Sequence, residues 1–596
     1  MSDVEKAKAL FLSALDLLDA RDYAAGEVKL RAALALAPER VSVLTNLAAA
    51  LFRQDKLVEA CEVATRSVAL DPNKVEGWLV LGSALNKRRL FDEALVAMES
   101  AVGAAPTSAA ALMGRASVLT QLGHLGRAVA DYQAAWRINP DEEDLRGLLV
   151  TARMQACDWT GLEDDTAALL ADIRAGRTLV DPFSLLAMPS TPEDQLRCAS
   201  AMVARDYPAM APLYRGERYD HRRIRVAYVS GDYHRHPTTY LVVAALEQHD
   251  RDRFETFGIS LGPDDKSEER TRVSRAFDRF IDARERGNGE IAALLYANQV
   301  DIAIDLGGFT SGGRLSVFAM RPAPVQAAYL GYPGTTGAPY IDYLIADAVV
   351  VPPDAYRFYS EKIVALPGTY QANDNRRPRS QPIPTRAECG LPPTGFVFCS
   401  FSNNYKIAPA IFAVWMELLT AVEGSVLWLM GSNQTAADNL RREAVRGGIA
   451  GERLIFASSL PVDQHLARHR LADLCLDTLP YNAHTTASDA LWMGTPIITC
   501  PGSTFPSRVA ASLLTAIGLP ELITKSLDQY RQLALTLARE PARLAAIRAK
   551  LAANRDTTAL FDTARFTRHL EAAYVTMIER YRRGEAPAAF SVEPVS

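Results

Sequence analysis

The sequence predicts a chain in two parts, a stack of helix pairs followed by a two-lobed α/β region, and three observations carry that prediction. Prolines at 38, 72, 106 and 140 stand 34 residues apart, each closing an apolar helical pattern (ALALAP, VALDP, VGAAP, WRINP). After His221 the pattern changes to short β-branched runs alternating with helical segments. A stretch rich in Pro, Arg and Asn, TYQANDNRRPRSQPIPTRAECGLPP, then divides the α/β region as a linker would.

The proline ruler marks about four repeats over 1–140. Superposed, the units place Ala60, Ala94 and Ala128 in one column, and Ala33, Ala101 and Ala135 in another with Ser67 as the exception. Small residues there let two helices approach closely. The third unit carries Trp78, Leu81, Gly82, Phe91, Ala94 and Pro106 and resembles a tetratricopeptide repeat. One 34-residue helix pair cannot bury its apolar face alone, so stacking supplies the core and leaves a groove suited to peptide. An inert spacer or a dimerisation surface is the competing explanation.

Residues 141–220 read as a helical bridge, with one or two helices in QACDWTGLEDDTAALLADI and a connection in VDPFSLLAMPSTPEDQ. The first lobe, 221–385, has strand candidates at 223–230, 254–260, 300–306, 324–330 and 361–367. The second, 386–555, has them at 396–401, 425–431, 453–458, 471–477 and 496–500, with helices after the first four. Alternation of this kind predicts parallel sheets covered on both faces, with ligands at the carboxyl ends of the strands. The last part, 556–596, is expected to be a helix and a disordered tail, RRGEAPAAFSVEPVS.

Composition narrows the function. The 596 residues suit three or four compact units. With 65 Lys+Arg against 70 Asp+Glu, a net charge of -5, nothing global points to nucleic acid. Seven cysteines, at 61, 157, 198, 389, 399, 475 and 500, include no C-x-x-C pair, which fits a reducing compartment rather than a disulfide or zinc framework. The start lacks a signal-peptide pattern, and no run approaches the ~18 apolar residues of a membrane span. A cytoplasmic protein without membrane insertion is expected; oligomeric state is not legible.

Chemistry is sought in the loops after strands. In LCLDTLPYNAHTTASDALWMGTP a strand ends near Asp477 and a helix starts near Thr485. His484, Thr485 and Thr486 then lie where free N–H groups and the macrodipole favour a phosphate, with Asp489 one turn further in. Ordinary capping explains the same residues equally well. Lys406, in SFSNNYKIAP, stands just before a helix, where a cation opposes the dipole unless an anion joins it. His234 and His236 follow the first strand in VSGDYHRHPTTYLV and could serve as a base, against a merely hydrogen-bonded loop histidine. DLGGFTSGGR and LGYPGTTG are neither a G-x-G-x-x-G fingerprint nor a P-loop. Their glycines fit close ligand approach and turn geometry equally. Asp250-Arg251-Asp252 reads as a turn, and no metal or other cofactor is expected.

With these loops in view, residues 222–580 resemble the catalytic region of protein O-linked N-acetylglucosamine transferases and their bacterial relatives, inverting glycosyltransferases of the two-lobed GT-B type. HPTTYL, RPAPVQAAYLGYPGTTG, YSEKIVALP, YKIAP, SVLWL, HTTASDALWMGTP and SRVAASLLTAIG carry the resemblance. It implies a nucleotide sugar held by Asn403, Lys406, His465, Arg468, His484, Thr485, Thr486 and Asp489, with Gly331 and Pro333 beside the transferred sugar. In it Lys406 and the HTT helix start hold the diphosphate, Asp489 the ribose, and His465 and Arg468 border the base. His236 matches the proposed general base, a donor phosphate oxygen being its rival. The implied activity is sugar transfer to Ser or Thr of a protein captured by the repeats. Asn403 and Val462 stand where the animal enzymes carry Gln and Lys, so the donor stays open between UDP-linked N-acetylglucosamine and other nucleotide sugars. Alternatives are a flagellin-modifying enzyme using a CMP-linked nonulosonic acid, a transferase acting on small molecules or glycans, and a repeat adaptor with an inactive transferase lobe.

Overall fold

The computed structural model describes residues 2–142, 144–177, 180–379, 382–431 and 433–595; Ser380 and Gln381 of the expected linker lie outside the described residues. The chain forms two compact units. One runs to Ala152 and takes in Ala283–Ile291, a segment expected inside the first lobe; the other holds Arg153–Asp282 and the chain from Ala292 onward.

The first unit is built of helix pairs: Asp3–Asp19 with Tyr23–Leu36, Val41–Arg53 with Leu57–Leu70, Val75–Lys87 with Phe91–Ala104, and Ala109–Gln121 with Leu125–Ile138. Both small-residue columns are buried to near-zero exposure. Ser67, the exception, keeps its place because its hydroxyl lies 2.7 Å from that of Thr45, so no buried polar group is left unpaired. Arg21, Asp55, Arg89 and Gly123, again 34 residues apart, all turn the chain with positive φ, and only the last is glycine. Asn288 of the inserted segment donates to the Asp55 carboxylate at 2.6 Å.

The second unit begins with the bridge helices Leu162–Arg174, Pro182–Leu185 and Pro192–Asp206 and continues into two sheets. Strands β1 (Ile224–Ser230), β2 (Phe254–Ser260), β3 (Arg279–Asp282), β4 (Ile302–Asp305), β5 (Val325–Ala328), β6 (Tyr343–Asp347) and β7 (Lys362–Leu366) belong to the first sheet. Strands β8 (Val397–Ser400), β9 (Val426–Met430), β10 (Leu454–Ala457), β11 (Leu474–Leu476) and β12 (Ile497–Ile498) form the second. The orders are β13-β7-β6-β5-β4-β1-β2-β3 and β10-β9-β8-β11-β12, with β13 at Phe590–Ser591. Every pairing is parallel.

The expected disordered tail is corrected by β13, which pairs with β7 while Val592 N–H donates to the Ala365 carbonyl. The long helix Thr563–Arg582 carries the chain back onto the first lobe. β3 and β6 are absent from the expected strands. β3 is a four-residue edge with polar ends, and β6 lies inside the apolar run IDYLIADAVVV, which blurs strand into turn. Asp250-Arg251-Asp252 is a turn, with Asp252 N–H donating to the Asp250 carboxylate.

Strand order locates the site before any side chain is considered. The first sheet reverses direction between β1 and β4, the second between β8 and β11. Ligands in open α/β sheets bind outside the carboxyl ends of the strands at such switch points. The loops there carry His236, the DLGGFTSGGR glycines, Lys406 and His484.

Candidate active site

In the first lobe His236 is the N-cap of the helix Pro237–Glu247. Its Nδ1 lies 3.3 Å from the Thr238 N–H, 3.2 Å from the Thr238 hydroxyl and 3.5 Å from the buried Asp232 carboxylate. These contacts compete. Capping uses the Nδ1 lone pair, whereas a proton on Nδ1 would face Asp232 and free Nε2 to accept one. The imidazole is more than one-third exposed.

Glycines in the neighbouring loops serve loop-on-loop packing. A Cβ on Gly331 would meet the Leu306 carbonyl oxygen at 1.8 Å, and one on Gly313 the Gly308 oxygen at 2.1 Å. Asp305, at the end of β4, accepts the Gly307 and Gly308 N–H groups, and burial pushes its carboxyl up to about 6. The loop with Gly331 and the buried Pro333 is anchored by Glu361, which accepts from the Thr335 hydroxyl at 2.7 Å and the Thr336 N–H at 2.6 Å.

In the second lobe Asn403 is exposed and caps the turn Asn404–Lys406, three residues before the helix Pro409–Ala421. Lys406 is buried; its Nζ donates to the Asn482 carbonyl at 2.9 Å and sits 3.7 Å from the Tyr481 ring centre. Burial brings its ammonium down to about 7, partly opposed by Asp477. Asp477 ends β11's run and accepts from the Ala483 N–H and the Thr499 hydroxyl, both at 2.6 Å; burial pushes it up to about 7. A buried ammonium short of compensating charge is a site prepared for an anion.

His484 is the N-cap of the helix Thr485–Met493. Its Nε2 lies 3.2 Å from the Pro506 carbonyl, and burial together with the Lys406 charge holds the ring neutral, so Nε2 donates and Nδ1 is left as an acceptor. The first intrahelical bonds come from the Ala487 and Ser488 N–H groups to His484, which leaves those of Thr485 and Thr486 as the helix's open donors. The neighbourhood thus combines a cation with backbone donors, as a diphosphate requires.

His465 is kept neutral, near 4, by burial and Arg468. Its Nδ1 accepts from Arg468 Nε at 3.0 Å, while Arg468 Nη1 donates to the Ser458 carbonyl. The guanidinium expected to border a base is therefore fully engaged behind His465, where it orients that ring. Asp489, expected on the ribose, is ion-paired to Arg377 of the inter-lobe segment.

An aromatic and aliphatic cluster joins the loops. Tyr332, Tyr481, Leu186 and Ala187 pack together with Phe183, Phe309, Tyr405 and Met154 against them. The bridge helix Pro182–Leu185 thereby walls the region between the Gly331 loop and Lys406. A cleft of about 870 Å³ opens between the lobes, lined by Arg235, Thr239 and Tyr240 beside His236 and by Leu460, Val462 and Leu466 beside His465.

Sequence reasoning missed Asp232, Glu361, Arg377, Asp477 and the bridge wall. Asp232 and Asp477 could have been found, since each follows or ends a strand at a switch point. Glu361 and Arg377 meet partners 25 and 112 residues away, which no local pattern reports. Among the described residues no group of three or more His, Cys, Asp or Glu is arranged to hold a metal ion, and no helix is long and apolar enough to cross a membrane.

Two doubly wound lobes with their functional loops at both switch points define the GT-B architecture. A structure of an O-GlcNAc transferase mutant from Thermobaculum terrenum superposes with a TM-score of 0.69 at 27% identity, covering 91% of this chain and 98% of that one. The chain belongs to glycosyl transferase family 41, whose model matches residues 213–378 and 371–570. A tetratricopeptide repeat model matches 11–75 and 79–143. A probable UDP-N-acetylglucosamine–peptide N-acetylglucosaminyltransferase of Arabidopsis thaliana, SEC, is 35% identical over 432 residues, 69% of this chain and 44% of the relative. The Caenorhabditis elegans UDP-N-acetylglucosamine–peptide N-acetylglucosaminyltransferase is 28% identical over 488 residues, 63% of this chain and 42% of the relative. The chain spans less than half the length of these curated relatives.

Proposed function

We propose that this chain is an inverting protein O-glycosyltransferase that moves N-acetylglucosamine from its UDP-linked donor to Ser or Thr of a protein held by the repeats. The observation that carries this reading is Lys406, an ammonium buried against Tyr481 and Asn482 close to the open N–H groups of a helix start. That is where a diphosphate leaving group gathers charge. The family and the names of its relatives supply the sugar and the acceptor.

In the proposed reaction the acceptor hydroxyl attacks the anomeric carbon from the face opposite the diphosphate. A new C–O bond to the protein forms as the C–O bond to phosphate breaks. The hydroxyl proton passes to His236 Nε2, with Asp232 facing Nδ1, and the electron pair leaves on the nucleoside diphosphate. Lys406, Thr485 and Thr486 stabilise that charge in place, so no metal is needed for it on this reading. His465 flanks the nucleotide, and the loop of Gly331 and Pro333, packed on the Leu306 carbonyl, borders the sugar. The repeats present the acceptor.

The test is to incubate the chain with peptide libraries and UDP-N-acetylglucosamine, CMP-linked nonulosonic acids or GDP-fucose, reading added mass on intact acceptors. Transfer from the UDP donor alone is expected. Transfer only from a CMP donor would replace it with the flagellin-type reading. Removing residues 1–140 should abolish transfer to protein while slow donor hydrolysis persists.

A further inference from the structure

Arg377 stands in the segment between the lobes, yet its side chain is more than nine-tenths buried. Its Nη1 is paired with Asp489, whereas Nε and Nη2 are enclosed without a hydrogen-bond partner. Charged donors left this way are costly, and folded proteins retain them where something else supplies the acceptors. Arg235, Arg272 and Arg376 line the same cleft, but each is engaged by carboxylates: Glu269, then Glu247 with Asp374, then Glu247. Arg377 differs from these three in keeping an enclosed edge open.

The surroundings say what would fill it. Leu460, Pro461, Val462 and Leu466 also line the cleft and offer an apolar surface. The guanidinium lies close enough to His469 for its charge to act there, beside His465. A flat, weakly polar body held by apolar contacts and a few directed hydrogen bonds suits such a place. The open edge is donor-only, so it requires oxygens. We propose that Arg377 is a donor-binding residue whose Nε–Nη2 edge takes acceptor oxygens of the donor's nucleoside while Nη1 orients the Asp489 carboxylate. The inference rests on the donor reading given above and adds to it a residue from the inter-lobe segment.

The experiment is calorimetric titration of the full chain with UDP, with inorganic pyrophosphate as a competitor, for wild type, Arg377→Met, Arg377→Lys, Asp489→Asn and the Arg377→Met/Asp489→Asn pair. Arg377→Met should weaken UDP about 10- to 100-fold. Arg377→Lys should weaken it about tenfold, since lysine keeps the charge for Asp489 but not the planar fork. Pyrophosphate competition should stay within about twofold, and Arg377→Met should still cost about fivefold or more in the Asp489→Asn background. The lysine variant covers the case in which the methionine variant fails to fold. Equal, non-additive losses in Arg377→Met and Asp489→Asn would show that the arginine acts only through the aspartate and would overturn the proposal. Wild-type binding that neither arginine variant changes would overturn it too, leaving the donor reading intact. Wild type that binds no UDP would remove the donor reading and this inference together.

Discussion

The two lobes share a doubly wound plan but hold their candidate site residues in opposite ways. In the second lobe Lys406 is buried and fixed by a 2.9 Å bond and a ring 3.7 Å away. In the first, His236 is partly exposed, with its Nδ1 3.2 to 3.5 Å from Thr238 and Asp232. An electrostatic site works best when its charges are set before the reaction, because no reorganisation is then needed as charge develops. A proton acceptor needs adjustable contacts, since apo hydrogen bonds of bases tighten only in the reactive complex. On the proposed reaction the difference is a division of labour: one lobe presents a preset receptor for the leaving group and the other an adjustable proton acceptor.

Breaking the preset side should have the largest effect. Lys406→Met should lower kcat by about 10²–10³-fold with an unchanged melting curve, read from donor turnover and thermal denaturation. On the adjustable side His236→Ala should cost about 10²-fold in kcat with little change in donor Kd, and Asp232→Asn about tenfold. A loss below threefold for His236→Ala would hand the proton to a donor phosphate oxygen.

The preset side also carries a pH signature. The Lys406 ammonium sits near 7 without ligand, and a bound diphosphate favours the charged form, raising that value. Donor affinity is then full below pH 7 and falls by up to about tenfold per unit as pH rises from there toward the raised value in the complex. Titrations from pH 6 to 9 should show this slope in wild type and a flat line in Lys406→Met. The smallest effect tests the scaffold: Glu361→Gln removes the anchor of the Gly331 loop, costing about 1–3 kcal/mol of stability by denaturant unfolding and several-fold in kcat.

Much of the fold was legible because it is periodic. A proline every 34 residues with small residues in register specifies stacked helix pairs, and apolar runs ending in polar loops specify parallel strands. β3 and β13 escaped because a short edge strand takes its stability from its neighbour, β2 or β7, rather than from its own residues. The strand end, loop and helix start around Lys406 and His484 were legible because they are consecutive in the chain. The engagement of Arg468 with Ser458 and His465 was not legible, since it depends on how a helix closes on a strand end.

The sequence alone determined the repeat, the parallel sheets and the loops where an anion would sit, since each depends on neighbours within a turn or a strand. Tertiary structure decided which of those loops meet. Packing Tyr332, Tyr481 and Leu186 from three distant segments into one cluster, and Arg377 against Asp489 across the lobes, turns separate signals into a cleft. Burial, which no single segment can specify, brings the Lys406 ammonium down to about 7.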